Sequence, residues 1–371
     1  MLSNKKHRQT NFELLRIIAM FMIVMHHSLI HGVLTVSKTT LVSVGNPLSL
    51  SLFSSFAFLG KVGVYLFVLI TGYFMIDSQI SLSKVVRLWL PVFFWSVVLT
   101  LICGSVVHQL TIKAILESLF PILLSKYWFM TTYVFMYLLI PFMNKMLLNL
   151  NRGQALALAT IGIVILIPGS FVYGHLMSSW LIKFCIAYCL GALIRRYKLL
   201  GQERVILAGK RLLIISLLVD FLASFSCSYL AFRLHSITFI TYIKSIVAQG
   251  ITVFSFLTAL GLFIVIGAKK VSYNKLINSV AATTFGIYLI HDNVYMEQLL
   301  WVKILHMKAW ATQSVTAIFY VVLVCCVVFA ICSLLEFIRK MVFHNFESRL
   351  ATWVSALATR LVANSKQRLV K

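Results

Sequence analysis

The stretch "NFELLRIIAMFMIVMHHSLIHG", residues 11–32, decides how this chain is read. It is apolar over the roughly 20 residues that a membrane-crossing helix needs, yet it carries Glu13, Arg16, His26, His27 and His31. A charge at the centre of a bilayer costs about 2.5–3.5 kcal/mol on insertion scales, so ionisable residues inside spans face a cavity or a partner. At about 100° per residue, the step from Arg16 to His27 closes three turns plus about 20°. The two side chains therefore share one stripe, separated by about 16–17 Å of rise. Glu13 and His31 fall within about 60° of that line, whereas His26 points about 80° away on the other side of Arg16. The pattern predicts a first span whose polar line faces the interior of a bundle. Taken singly, Arg16 can snorkel beside its i,i+3 partner Glu13, and His27 and His31 can be interfacial. The alignment of all four favours a functional stripe.

The rest of the chain agrees with a membrane setting. Of 371 residues, 61% are hydrophobic and 11% charged, with a mean hydropathy of +0.96. A soluble domain of that composition would lack polar cover for its surface. Apolar segments of spanning length lie near 12–31, 56–76, 87–107, 127–147, 155–173, 179–195, 211–231, 239–266, 280–301 and 311–338. The expected fold is therefore an all-α polytopic membrane bundle of about ten transmembrane helices. The "VGNPLSLSLFSSF" segment at 44–56 reads as a polar external loop.

The net charge of +24 suggests nucleic acid until its distribution is considered. The cations collect at Lys5, Lys6 and Arg8, at Lys84 and Arg87, at Lys145 and Arg152, across 195–211, at Lys269, Lys270 and Lys275, and after Arg339. That is a positive-inside pattern, which sets both termini in the cytoplasm and makes the charge a matter of topology. Nucleic acid is not an expected partner; membrane lipids are. The N-terminus lacks a small-residue cleavage site and reads as an uncleaved first helix. Residues 1–340 form the expected transmembrane domain. The segment 341–371 repeats Phe346, Leu350, Trp353 and Leu357 among basic residues, the pattern of an amphipathic helix on the inner leaflet.

Chemistry is constrained by what is missing. Only nine residues are acidic, and no HExxH or paired-carboxylate arrangement occurs, which removes glycosidase and metalloprotease readings. The seven cysteines form no CxxC pair, and no metal site is expected. A neutral imidazole within the stripe suits a general base near neutral pH. A transporter or flippase for a lipid-linked sugar or polysaccharide also suits a buried polar stripe, and a structural or sensory role is a third class.

Five stretches in order resemble the membrane acyltransferase-3 family. They are Glu13, Arg16, Ala19 and His27 in the first helix; "GVYLFVLITGYFM" at 63–75; "SKVVRLWLPVFFW" at 83–95; "YWFMTTYVFMYLLIPFMNK" at 127–145; and "TFGIYLIHDNVYM" at 284–296. Many relatives have an acidic residue soon after the tryptophan of the fourth stretch, where this chain runs Trp128, Phe129, Met130, Thr131, Thr132, Tyr133. The resemblance implies a multi-pass cell-membrane enzyme that moves an acyl group, acetyl by default, from cytosolic acyl-CoA to a surface glycan or lipid-linked sugar. It implies His27 as the catalytic histidine, either general base or acyl carrier, with Arg16 as its companion. Lys84 and Arg87 would be the cationic pair at the cytoplasmic mouth. Glu13 is the expected partner of Arg16, and His291 beside Asp292 is a second base candidate.

Overall fold

The computed structural model describes residues 8–35, 46–167, 179–234, 252–270 and 273–369. Lys5, Lys6, residues 168–173 of the expected 155–173 span and residues 239–251 of the expected 239–266 span lie outside these. The protein is 85% helical, and the described residues contain no strand. Among the described residues, five helical stretches are long and apolar enough to cross a membrane: Thr10–Thr35, Pro47–Met75, Leu82–Val106, Trp128–Asn149 and Ala317–Leu357. Arg152–Leu166 and Val253–Gly267 are apolar but shorter.

Helix α1 (Thr10–His27) runs into a π turn (Ser28–Gly32) and a short 3-10 turn (Val33–Thr35). Its first turn is pinned by side chains, with Asn11 Nδ2 donating to Gly267 O at 2.8 Å and Asn274 N donating to Thr10 Oγ1 at 3.1 Å. Helix α2 (Pro47–Ala57) leads almost directly into α3 (Leu59–Met75). The expected polar loop is thus helical over its described part, for a local reason. Asn46 caps the helix by accepting from Leu48 N at 3.1 Å and Ser49 N at 3.4 Å, and Pro47 occupies the first turn. The serines then hide their hydroxyls on carbonyls one turn back, Ser51 on Pro47 at 2.5 Å and Ser55 on Ser51 at 2.6 Å.

Helix α4 (Leu82–Val106), a short α5 (Ile112–Ser118), α6 (Trp128–Asn149), α7 (Arg152–Leu166), α8 (Trp180–Arg196), α9 (Glu203–Arg233) and α10 (Thr252–Gly267) follow. Helix α3 is the centre, packed against α1, α8 and α10. Its glycines explain the closeness. A Cβ on Gly72 would come within 2.9 Å of the Tyr188 carbonyl carbon, and one on Gly191 within 3.0 Å of that of Leu69, so α3 and α8 meet backbone to backbone. Small residues at such crossings are how apolar helices gain contact where lipid offers no hydrophobic drive.

The expected span at 280–301 is not one helix. It is divided into α11 (Lys275–Ala281), α12 (Thr284–His291), α13 (Val294–Glu297) and a π segment (Gln298–Ile304). Asn293 starts α13 by accepting from Tyr295 N at 3.1 Å and Met296 N at 3.4 Å. Thr283 and Thr284 bond back to Val280 O and Ala281 O at 2.7 and 2.8 Å, satisfying carbonyls at the other break. Non-helical backbone at membrane depth is tolerated where protein or a cavity satisfies it.

Helix α14 (Ala317–Leu369) is continuous through residue 340, so the basic tail extends the last span and does not begin a new helix. Its buried Glu336 and Arg339 pair bidentately at 2.8 and 2.9 Å, and Trp95 Nε1 donates to Glu336 Oε2 at 2.8 Å, clamping α14 to α4.

The α3–α8 crossing yields a stability prediction. Gly72→Val and Gly191→Val should each cost roughly 1–3 kcal/mol by overpacking, seen as a lower Tm of the detergent-purified protein. Gly201→Ala, where an added Cβ meets nothing within 4 Å, should leave Tm unchanged.

Candidate active site

A cavity of about 930 Å³ runs beside α1, within the range of about 300–1,000 Å³ usual for small-molecule sites. One end is lined by Arg8, Glu13, Arg16, Asp77 and Arg195, of which Arg8, Asp77 and Arg195 are exposed, so this end meets the surface. The other is lined by His26, His27, Lys61 and Trp128. Between Glu13 and His27 the helix rises about 21 Å. Glu13, Arg16 and His27 of the polar stripe expected on the first span thus line a long crevice, whereas His31 does not and His26, expected to point away from the stripe, does.

At the mouth, Arg16 donates to Glu13, and Arg8 adds a looser pair with Glu13 at 3.7 Å. Arg195, on the last turn of α8, donates from Nη1 to the Tyr73 hydroxyl at 3.3 Å and lies 5.1 Å from that ring's centroid. Lys84 and Arg87 are exposed on α4 and are not part of the wall; their neighbour Leu88 is. The structure thus brings Arg16, Glu13 and His27 to one cavity and leaves Lys84 and Arg87 outside it, near its rim in sequence.

At the inner end the imidazoles have distinct partners. His26 Nδ1 donates to Ala57 O, which ties α1 to the end of α2. His27 Nδ1 lies 2.9 Å from His291 Nε2 and 3.2 Å from Asp292 Oδ1. His291 Nδ1 lies 2.6 Å from Ile287 O, one turn earlier on α12. A carbonyl only accepts, so His291 carries its proton on Nδ1, and in the neutral ring Nε2 is then an acceptor. His27 must therefore donate from Nδ1, shared between His291 and Asp292. Its Nε2 keeps a lone pair, and the residue lines the cavity. This tautomer, assigned from the partners, is the one a general base requires.

The break after His291 makes the arrangement possible. Were the helix continuous, Asp292 would be held one helical step around from His291. Instead the chain turns at Asn293, whose Nδ2 donates to the Tyr127 hydroxyl at 3.1 Å while that hydroxyl donates to Leu289 O at 3.0 Å. The π turn after His27 carries His31 next to the same group: the two rings are 5.3 Å apart, and His31 Nδ1 meets Glu297 Oε1 at 2.5 Å. Wide turns of this kind recur at functional sites.

Two features escape a reading by spacing. The ligand atoms of His27, His31 and Asp292 lie within 4.8 Å of one another, the one group among the described residues with the geometry for a metal ion. Its third member is remote in sequence, so no motif reveals it, and the Nδ1 atoms of His27 and His31 are already engaged by His291 and Glu297. Lys61 also lines the crevice, although it stands inside an expected span, where a lysine alone is a signal.

The acyltransferase domain family matches residues 9–337, nearly the whole chain. Neither a curated protein nor a solved structure shows a significant match. The crevice with its prepared histidine and the family match over residues 9–337 lead to one conclusion: the chain belongs to the acyltransferase-3 family of membrane O-acyltransferases.

Proposed function

We propose that this membrane acyltransferase moves an acyl group, acetyl in the first instance, from cytosolic acyl-CoA to a hydroxyl of a cell-surface or lipid-linked glycan. In this reading the chain crosses the cell membrane about ten times with both ends cytoplasmic. The observation that carries it is the cavity leading from Arg8, Arg16 and Arg195 to His27, whose Nε2 is left free to accept a proton.

The arginines at the mouth suit the phosphates of coenzyme A, because guanidinium groups offer paired donors to phosphate oxygens. Exposed Lys84 and Arg87 on α4 would add to the attraction of an anionic donor toward that face. The pantetheine arm would extend along the α1 stripe and set the thioester beside His27. The acceptor hydroxyl then attacks the thioester carbon while its proton passes to His27 Nε2. The C–S bond breaks, and His27 returns that proton to the departing sulfur, giving the ester and free CoA thiol. His291 and Asp292 hold the His27 ring and favour the cation it briefly becomes. The same free nitrogen would serve an acyl-carrier route, in which the imidazole takes the acyl group first.

The broken segment at 282–283 and 292–293 also suits a flippase for a lipid-linked sugar. Thiol release separates the two. Membrane vesicles bearing the full-length chain and native acceptors, supplied with radiolabelled acetyl-CoA, should release CoA and gain alkali-labile label in the glycan fraction. A flippase would do neither.

In the same assay His27→Ala should lower kcat by about 10²–10⁴, the usual worth of a positioned acid–base group, with unchanged expression and insertion. An active His27→Ala protein would refute the assignment. Arg195→Ala should act elsewhere, raising KM for acetyl-CoA about tenfold, as expected for one lost charge-assisted contact, while kcat stays within about twofold.

A further inference from the structure

Lys61 has no part in this scheme, and its setting is unusual for a lysine. It is 8% exposed and lies on α3 next to Gly60, where the absent side chain lets α3 rest against His26; a Cβ there would come within 2.9 Å of His26 Cδ2. Its Nζ stands 5.0 Å from the Trp128 ring centroid and 5.1 Å from that of Trp180. Among the described residues it makes no direct ion pair and no hydrogen bond; Asp292, the carboxylate beside His27, attracts it from farther off. Lys61 lines the cavity together with His26 and His27. Indole faces attract a cation but accept no conventional hydrogen bond. Three N–H donors are thus held, nine-tenths buried, in the wall that also contains His27. A buried ammonium is costly unless something pairs with it.

We propose that Lys61 is a catalytic residue that binds the oxyanion of the acyl-transfer intermediate. The inference rests on the functional reading above. As the acceptor oxygen forms its bond to the thioester carbon, the carbonyl π pair moves onto oxygen, and a Lys61 N–H donates to that developing charge. Collapse re-forms the C=O bond and expels CoA sulfur, which takes the proton held by His27. Lys61 keeps all of its protons throughout. A fixed donor in a site shielded from water is most effective here, because it acts on charge present mainly in the transition state. Phosphate is the competing anion, but the arginines serve it at the mouth, and Arg16 precedes His27 by about 16 Å of helix rise.

The test uses the vesicle assay with labelled acetyl-CoA. Lys61→Met, which keeps the stem and removes the donors, should lower kcat by about 10²–10³, the usual worth of one oxyanion-hole donor, with KM for acetyl-CoA within about twofold. Lys61→Cys should be similarly slow and regain at least tenfold on aminoethylation with 2-bromoethylamine, which rebuilds the ammonium; wild-type protein treated alike is the reference. Because rescue is read within one folded protein, it stands even if Lys61→Met fails to fold. A Lys61→Met enzyme with kcat within about threefold of wild type, a defect confined to KM, or a Lys61→Cys enzyme that does not recover would overturn the proposal. His27→Ala keeps the two failures apart. If it stays active, the acyl-transfer reading falls; if it is dead while Lys61→Met works, only the role of Lys61 falls.

Discussion

An apolar helical bundle tolerates an ionisable side chain only where its polar atoms meet a partner or open onto a cavity, and that requirement organises this protein. Helix α1 presents it most sharply. His26 is satisfied by Ala57 O, Arg16 by Glu13, and His31 by Glu297. His27 is satisfied across 264 residues of sequence by His291. That last contact needs α12 to end where it does, and the ending needs Asn293 as a cap and Tyr127 as its support. The broken helix is thus part of how a histidine can be buried with one nitrogen spent and the other free.

The crevice is a route from the surface to His27. Glycines bring α3 against α1 and α8, so little space remains on those sides, while the α1 stripe stays lined by polar groups. Cations are sorted by depth along it. Arg8 and Arg195 are exposed at the mouth, Arg16 is part-buried, and Lys61 is enclosed between two indoles. Electrostatic attraction between exposed groups is screened within about 8–10 Å by physiological salt, so the outer arginines suit capture of an anionic donor. An enclosed ammonium escapes that screening and suits charge that appears during reaction.

The carboxylate geometry also departs from what the motifs suggest. No acidic residue comes soon after Trp128, which runs into Phe129, Met130, Thr131, Thr132 and Tyr133, and Trp128 itself places its ring against Lys61. The carboxylate beside His27 is Asp292, supplied by the break after α12. A carboxylate on either element can orient an imidazole, provided it reaches the nitrogen that is not needed for chemistry.

Apolar segments of spanning length, the stripe through Glu13, Arg16 and His27, and the ordered family stretches were all legible in the sequence. Each is a local or periodic property, set by helix pitch and by the cost of exposing polar groups to lipid. The helix in place of the 44–56 loop was also locally encoded, in the Asn46 cap and the Pro47 start, but serine-rich composition masked it. What spacing could not supply was every relation between elements: the pairing of His27 with His291 and Asp292, the approach of Lys61 to Trp128 and Trp180, and the exclusion of Lys84 and Arg87 from the cavity wall. Those depend on which helix faces pack together, and in this bundle that is decided by where glycines admit a neighbouring backbone and where a helix can afford to break.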